Sequence, residues 1–298
     1  MKAVSAADLA VFLSIAAHLS FSRAAVELGL SPSALSHALR ALEERLGVRL
    51  FNRTTRSVAL TEAGERLYAR IKPAFRDIDD ALEDLNQFRD TPSGTLRINA
   101  GRAAAQLVLL PLVERFLEAY PDVAIEITAN DALVDVVSAG FDAGMRFGER
   151  LEADMVSLPI GPELRSVVVG APAFFERHPV PQQPEDLHGL PCIRHRFPGG
   201  NLYRWEFERD GKQLDIAVDG PLTLDDVGLM LGPALHGTGL AYVFEEMVSE
   251  HLAAGRLVRV LEDWCPYYPG LHLYYPSRRQ VPAALKAFIE FARAAREK

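Results

Sequence analysis

Residues 30–47 read LSPSALSHALRALEERLG. At about 100° per residue around a helix, Leu35, Leu39, Leu42 and Leu46 fall in a stripe about 60° wide, a seam that faces a core. Ser33, His37, Arg40 and Glu44 lie together on the opposite side, with Ser36 on the flank. The Ser31 hydroxyl suits the N-cap, where it can accept an otherwise orphaned backbone N–H. Pro32 suits the first helical position, and Gly47 stops the helix. Small hydroxyls, an imidazole and a guanidinium on one open face form a surface that can enter a major groove. Serine can bond phosphate or base there, and histidine or arginine can donate to guanine N7 and O6. Read alone, the same pattern also fits a solvated helix of any α-domain.

The flanks decide between the two readings. Upstream, Ser22 is expected to cap a short helix, RAAVEL, that buries Ala25, Leu28 and then Leu30, with Gly29 making the turn. A short helix, a tight turn and a second helix with an open N-terminal face make a helix-turn-helix. Downstream, RLFNRTTRSVAL predicts a strand at Arg49–Phe51, a polar turn and a second strand at Val58–Leu60. Thr61 then caps the next helix. This is a two-stranded wing whose Arg53, Thr54 and Arg56 can reach phosphates or a minor groove. Residues 40–56 hold five arginines against two glutamates, a local excess of positive charge that an overall charge of −8 conceals. Nucleic-acid footprints are regional, so the negative total does not exclude DNA.

The run from Asp8 to Glu65, above all AAVELGLSPSALSHALRALEERLGVRLFNRTTRSVALTEAG, resembles the winged helix-turn-helix of LysR-type transcriptional regulators. The resemblance places Ala24, Ala25, Leu28, Ser31, Ala34, Ser36, Leu42, Glu43, Leu46, Gly47, Leu50, Phe51, Arg53, Leu60, Thr61 and Gly64 at family-typical positions. Two residues depart from it. Pro32 stands where many relatives carry a glutamine able to touch a base, and His37 stands where arginine is frequent. The residues expected on DNA are Ser31, Pro32, Ser33, Ser36, His37 and Arg40 from the helix and Arg53, Thr54 and Arg56 from the wing.

After Thr61, residues Leu67, Ile71, Ala74, Ile78, Ala81, Leu85 and Phe88 are spaced alternately four and three apart. That heptad seam needs a partner for its apolar face, either its own domain or a second copy of the chain. Pairing of two copies is expected, because one wing domain reads half a site. Pro73 interrupts the pattern and should kink the helix or cost it a hydrogen bond. Residues 91–94, TPSG, read as a hinge.

The remainder is acidic and alternates between strand and helix patterns. TLRINA, AIEITA and FDAGMRF read as strands separated by the helices LVLLPLVERFLEAY and ALVDVVSAG. RSVVVGAP reads as a buried strand and RWEFERDGKQLDIAV as a hairpin on Asp210–Gly211. A helix through LDDVGLMLGPALHG, the strand LHLYYP and the helix PAALKAFIEFARAA complete the chain. Such alternation argues for α/β layers with largely parallel strands. The region also resembles the LysR-type effector domain, which is similar to type 2 periplasmic binding proteins: two α/β lobes flanking a ligand cleft. The expected fold class is therefore α/β, with a winged helix-turn-helix at 1–60, a dimerisation helix and hinge at 61–92, and an effector domain at 93–298. Lobe I would span about 93–164 and 269–298, and lobe II about 165–268.

In open α/β sheets ligands sit beyond strand carboxyl ends. That rule selects Gly101, Arg102, Asn130, Phe147 and Gly148 from lobe I and His195, Arg196 and Asp225 from lobe II. Arg102, Arg194 and Arg196 leave room for an anionic effector, while Asp225 also suits a helix cap and Asn130 a turn. The partners expected are double-stranded promoter DNA, a small-molecule effector, a second copy of the chain (and, by resemblance, a tetramer) and RNA polymerase.

Other classes fare worse. No G-x-S-x-G, P-loop, H-E-x-x-H or paired C-x-x-C pattern occurs, and Gly237-Thr238-Gly239 lacks the third glycine of a dinucleotide fingerprint. No cofactor, metal or enzymatic activity is expected. Two cysteines, Cys192 and Cys265, cannot supply a disulfide framework and fit a reduced cytoplasm. The N-terminal MKAVSAADLAVFLSIAAHLS superficially resembles a signal peptide, but Asp8, Ser14 and His18 interrupt it and its apolar residues follow helical spacing. No apolar run approaches the ~20 residues of a membrane span. A solute-binding protein would account for the lobes but leave the wing domain unexplained.

Overall fold

The computed structural model describes residues 4–53, 57–83, 91–132, 134–147, 155–277 and 281–296. The chain divides into two compact units, Met1–Glu83 and Asp84–Lys298.

In the first unit, helix α1 (Ala6–His18) opens on a capping box between Ser5 and Asp8. Each side chain accepts the other's backbone N–H, which satisfies two orphan donors at once. Helix α2 (Phe21–Leu28) is capped by Ser20 rather than Ser22, two residues earlier than the sequence suggests, since Phe21 already belongs to the helix. It buries Ala24 and Ala25, whereas Leu30 is exposed. Gly29 takes φ +63° and donates back to the Ala25 and Val26 carbonyls, a left-handed turn that glycine makes without steric cost. Helix α3 (Pro32–Leu46) begins on Ser31, whose hydroxyl accepts from Ala34 N, and ends on Gly47 at φ +70°. Leu35, Leu39 and Leu42 are fully buried with Phe12, Ile15, Leu50 and Phe51. Leu46, the last member of the stripe, is exposed because the helix outruns the core.

The wing strands are β1 (Phe51–Arg53) and β2 (Val58–Leu60), paired antiparallel with Phe51 opposite Leu60. The first strand thus lies two residues beyond the expected Arg49–Phe51, because Leu50 is held by hydrogen bonds outside the ladder. Helix α4 (Glu62–Glu83) starts where the Thr61 hydroxyl accepts from Gly64 N and donates to the Arg49 carbonyl. A Cβ at Gly64 would sit 2.1 Å from the Leu50 carbonyl oxygen, so only glycine lets the helix approach the strand this closely. Helix α4 runs through Pro73. Its seam changes character along its length: Leu67 and Ile71 pack on the winged core, while Ala74, Ile78 and Ala81 are exposed. Leu85 and Phe88 lie outside the described residues.

The second unit has two lobes. Lobe I holds strands β3 (Gly94–Ala100), β4 (Val123–Ala129), β5 (Ala143–Phe147), β6 (Met155–Ile160) and, late in the chain, β14 (Leu271–Pro276), in the order β4-β3-β5-β14-β6. The first three are parallel, but β14 runs antiparallel between β5 and β6, so the sheet is mixed. A Cβ at Gly144 would sit 2.2 Å from the Tyr274 ring, which lies across that strand pair. The helices Leu110–Ala119 and Ala283–Arg296 cover the sheet, with Phe116 and Phe288 edge to face at 5.1 Å. Ahead of the first, Ala105–Leu109 forms a π-helical turn. Pro111 has no N–H for the Leu107 carbonyl, which explains the wider register.

Lobe II contains β7 (Ser166–Gly170), buried along its whole length between β12 (Ala241–Phe244) and β13 (Val258–Val260). Both neighbours are antiparallel to it, contrary to the parallel pattern expected from the alternation. Strands β8 (Ile193–His195) and β11 (Leu222–Leu224) pair in parallel, and β9 (Trp205–Arg209) with β10 (Lys212–Ile216) forms the expected hairpin. Asp210 and Gly211 both take positive φ, as a type I′ turn requires. Trp205 stacks on Tyr242 in the lobe's core. The chain crosses between lobes where Leu164 and Tyr268 exchange backbone hydrogen bonds of 3.3 and 2.9 Å. Among the described residues, no helix is long and apolar enough to cross a membrane.

Candidate functional site

The N-terminal face of α3 is open. Ser31, Pro32, Ser33, His37 and Arg40 are exposed and Ser36 is half-buried on the flank. The Ser31 and Ser33 hydroxyls bond each other at 3.0 Å, whereas the His37 and Arg40 side chains have no polar partner among the described residues. An unpaired guanidinium and imidazole beside two hydroxyls, standing at the start of a helix, can meet phosphates and base edges together.

The wing is built differently from its sequence reading. The Arg53 guanidinium donates to Glu43 at 3.0 Å and lies 5.0 Å over the Phe21 ring, so it is committed within the domain rather than free at a tip. The same Glu43 carboxylate accepts from the backbone N–H of Leu50 and Phe51 at 2.8 and 3.2 Å. Glu43 therefore clamps the wing to the recognition helix. Its position, about 80° round from Leu35, was the available signal: a carboxylate at the edge of a leucine stripe needs buried donors. Arg45 is likewise paired, with Asp8 at 2.6 Å. Arg49 is exposed, and Thr54 and Arg56 lie outside the described residues.

In the second unit, the residues chosen from strand ends divide into two groups. Gly101, Arg102, Asn130 and His195 gather around Asp131. The Asp131 carboxylate accepts from the Arg102 backbone N–H at 2.9 Å and lies 3.7 Å from its guanidinium. Arg102 also reaches lobe II, donating to the Asp225 carbonyl at 3.2 Å and facing the Asp226 carboxylate at 3.6 Å. A Cβ at Gly101 would touch Asp131 at 3.2 Å. His195 is buried; desolvation pushes its pKa down, against the pull of the Asp131, Asp226 and Asp225 charges. Phe147 stands apart, stacked on Phe244 of lobe II at 5.2 Å near the crossing strands. Gly148 lies outside the described residues.

Arg196 does not join them. It is exposed and donates to the Gly200 carbonyl of its own turn at 2.7 Å, and Arg194 faces Asp219 at 3.9 Å. Asp225 offers its carbonyl to Arg102 rather than a cap, and the neighbouring Asp226 carboxylate accepts from Gly228 N at 2.7 Å, ahead of the short helical turn Gly228–Met230. Arg146 is the residue that the strand-end rule passed over. It is buried on β5, donating to Asn99 Oδ1 at 2.5 Å, Met145 O at 2.8 Å and Ala132 O at 3.0 Å. Among the described residues no carboxylate pairs with it. An arginine inside an otherwise apolar strand, MRF, was its signal. A concavity of about 580 Å³, lined by Gln106 and Leu107 of lobe I and by Asp226, Leu229 and Met247 of lobe II, adjoins this cluster through Asp226.

Neither cysteine contributes. Both are free and buried, and desolvation raises the Cys192 thiol to about 12 and that of Cys265 to about 11. Both stay protonated at neutral pH and are poor nucleophiles.

Residues 6–65 match the family described as bacterial regulatory helix-turn-helix protein, lysR family, and residues 89–297 match the LysR substrate binding domain. The chain is 46% identical over 286 residues to the uncharacterized HTH-type transcriptional regulator YcaN of Escherichia coli (strain K12), covering 96% of this chain and 94% of that protein. It is 40% identical over 291 residues to the HTH-type transcriptional regulator PgrR of the same organism, covering 97% of each. Among solved structures, the full-length Vibrio cholerae virulence activator AphB, a member of the LTTR protein family, is similar with a TM-score of 0.68. That likeness carries 25% identity and covers 98% of this chain and 99% of that one. An open recognition helix, a clamped wing and a two-lobed domain in this order have one reading: the chain belongs to the LysR family of transcriptional regulators, whose helix-turn-helix binds DNA and whose substrate-binding domain takes an effector.

Proposed function

We propose that α3 enters a major groove with Ser33, Ser36, His37 and Arg40 facing bases and phosphates. Ser31 and Pro32 set the helix start against the backbone. The wing follows the flanking phosphates with Arg49, Thr54 and Arg56, and Arg53 holds its base in place. The observation that carries this reading is the unpartnered His37 and Arg40 on an otherwise hydroxyl-bearing face. Two copies joined along α4 present two such helices to an inverted-repeat promoter site, in a dimer that assembles further to a tetramer. The protein works in the cytoplasm, where RNA polymerase reads the outcome.

A small molecule seated between the lobes favours one arrangement of the domain over another, and only that difference in affinity can shift the regulator. The anionic character first suggested by Arg102, Arg194 and Arg196 now rests on Arg146, whose acceptors are all neutral, whereas Arg102 and Arg194 face carboxylates and Arg196 is held by its own turn. The deciding experiment selects genomic fragments on purified protein and measures binding to the enriched sequence by fluorescence anisotropy. His37→Ala is expected to relax base preference more than it lowers affinity. Equal losses on every promoter variant would contradict groove reading by that residue.

A further inference from the structure

The groups around the Asn130–Ala132 loop are unbalanced in two opposite ways. On the surface of the interlobe seat, the Asp131 and Asp226 carboxylates and the Asp225 carbonyl surround one cation, the Arg102 guanidinium. Its two ion pairs, at 3.7 and 3.6 Å, are long for charge-assisted hydrogen bonds, and its side chain is 42% exposed. Arg102 is therefore held loosely, by the field of acceptors from both lobes. Beneath it the imbalance reverses. Arg146 is 7% exposed, all its acceptors are neutral, and its Nε–H is buried without a partner. A buried guanidinium facing only neutral acceptors attracts an anion.

In the same cluster, Asn130 Oδ1 and His195 Nε2 are also buried without a partner among the described residues. His195 is also 7% exposed, and burial disfavours its charged form. A neutral imidazole carries a lone pair on one ring nitrogen, and the unpartnered Nε2 can supply it as an acceptor. The cluster thus offers two unfilled acceptors and two carboxylates to a cation, and one unfilled donor on a buried cation to an anion. Both halves hang on adjacent residues, since Asp131 holds Arg102 while Ala132 O holds Arg146. One loop thus links both halves, and the complementary ligand carries a cationic and an anionic group together.

We propose that the interlobe seat takes a free α-amino acid, its ammonium replacing the Arg102 guanidinium between Asp131 and Asp226 and its carboxylate facing Arg146. An ammonium has three N–H donors, enough for a carboxylate and for Asn130 Oδ1 and His195 Nε2, the two acceptors that the Arg102 guanidinium leaves unpartnered. Arg102 is the resident plug: it ties the lobes together when the seat is empty and is displaced when the amino acid enters. This rests on the reading of the second unit as the effector domain.

The test titrates full-length protein with the twenty common α-amino acids by isothermal calorimetry. Each is paired with the carboxylic acid lacking the amine and the amine lacking the carboxylate. At least one amino acid is expected to bind, and both of its truncated partners about tenfold more weakly or worse, as loss of a charged contact implies. Arg102→Ala, at an exposed position, is expected to tighten that binding, and His195→Phe to abolish it while His195→Gln, which keeps an acceptor, retains part. Binding of no amino acid, equal binding of a carboxylic acid or amine, or weaker binding by Arg102→Ala would overturn the proposal. Promoter binding by the same preparation separates the two failures: protein that holds DNA but no amino acid refutes this inference alone, and protein that holds neither refutes the regulator reading.

Discussion

Removing the Glu43 carboxylate leaves three donors without their acceptor: the Leu50 and Phe51 amides and the Arg53 guanidinium. Buried donors left unpaired cost about 1–3 kcal/mol each, so Glu43→Ala is expected to loosen the wing without touching the groove face. Amide hydrogen exchange should show Leu50 and Phe51 losing protection while Leu35 and Leu39 keep theirs. Unchanged protection at Leu50 would refute the clamp. Arg53→Ala removes one donor and its seat on Phe21, and should perturb the same amides less. The open residues of α3 were legible in the sequence because helical geometry alone assigns them a face. The pairing of Arg53 with Glu43 was not, since it depends on a strand packing back on a helix ten residues away. Arg146 escaped for a related reason: its acceptors come from Asn99 and Ala132, distant in sequence, and only the folded sheet brings them together.

Among the elements, α1 and α3 are tied by Asp8, which closes the capping box of one helix and pairs with Arg45 of the other. The Arg45 hydrogen bond, then those from Ser5, hold the Asp8 pKa down from 3.8 to about 2. A carboxyl lowered on folding stabilises the domain above its unfolded pKa, and that contribution disappears as pH falls through the folded value. Asp8→Asn is therefore expected to lower the melting temperature near pH 7, and the gap to wild type should close between about pH 4 and pH 2. A gap independent of pH would show that the pair does not titrate with folding. Along α4 the exposed Ala74, Ile78 and Ala81 continue a seam that the winged core stops covering after Ile71. Ile78→Asp places a charge in the proposed helix pair and should give monomers in sedimentation velocity. An intact dimer would refute that seam. Helix boundaries followed caps that sequence shows well, such as Ser31, Gly29 and Gly47. Strand direction did not, because alternation of strand and helix says nothing of where β14 inserts, and it inserts antiparallel between β5 and β6.

Over the whole molecule, charge is divided between the two units. Met1–Glu83 carries 11 basic and 10 acidic side chains, leaving 21 basic and 30 acidic in the rest. The first unit can approach a polyanion while the second resists it, so DNA contact and ligand sensing belong to separate surfaces. Contacts between the lobes include the Leu164–Tyr268 bridge, the Phe147–Phe244 stack and the reach of Arg102, a set that a ligand can bias. The central claim is that the N-terminal unit reads duplex sequence through the open face of α3. It is tested most directly by selecting bound duplexes from fragmented genomic DNA on the purified full-length protein at about 0.15 M salt, where weak phosphate contacts are screened. The account predicts enriched fragments sharing an inverted repeat, with half-sites about one helical turn apart and base preference that relaxes in His37→Ala. No duplex enriched over competitor, with or without added amino acids, would contradict it.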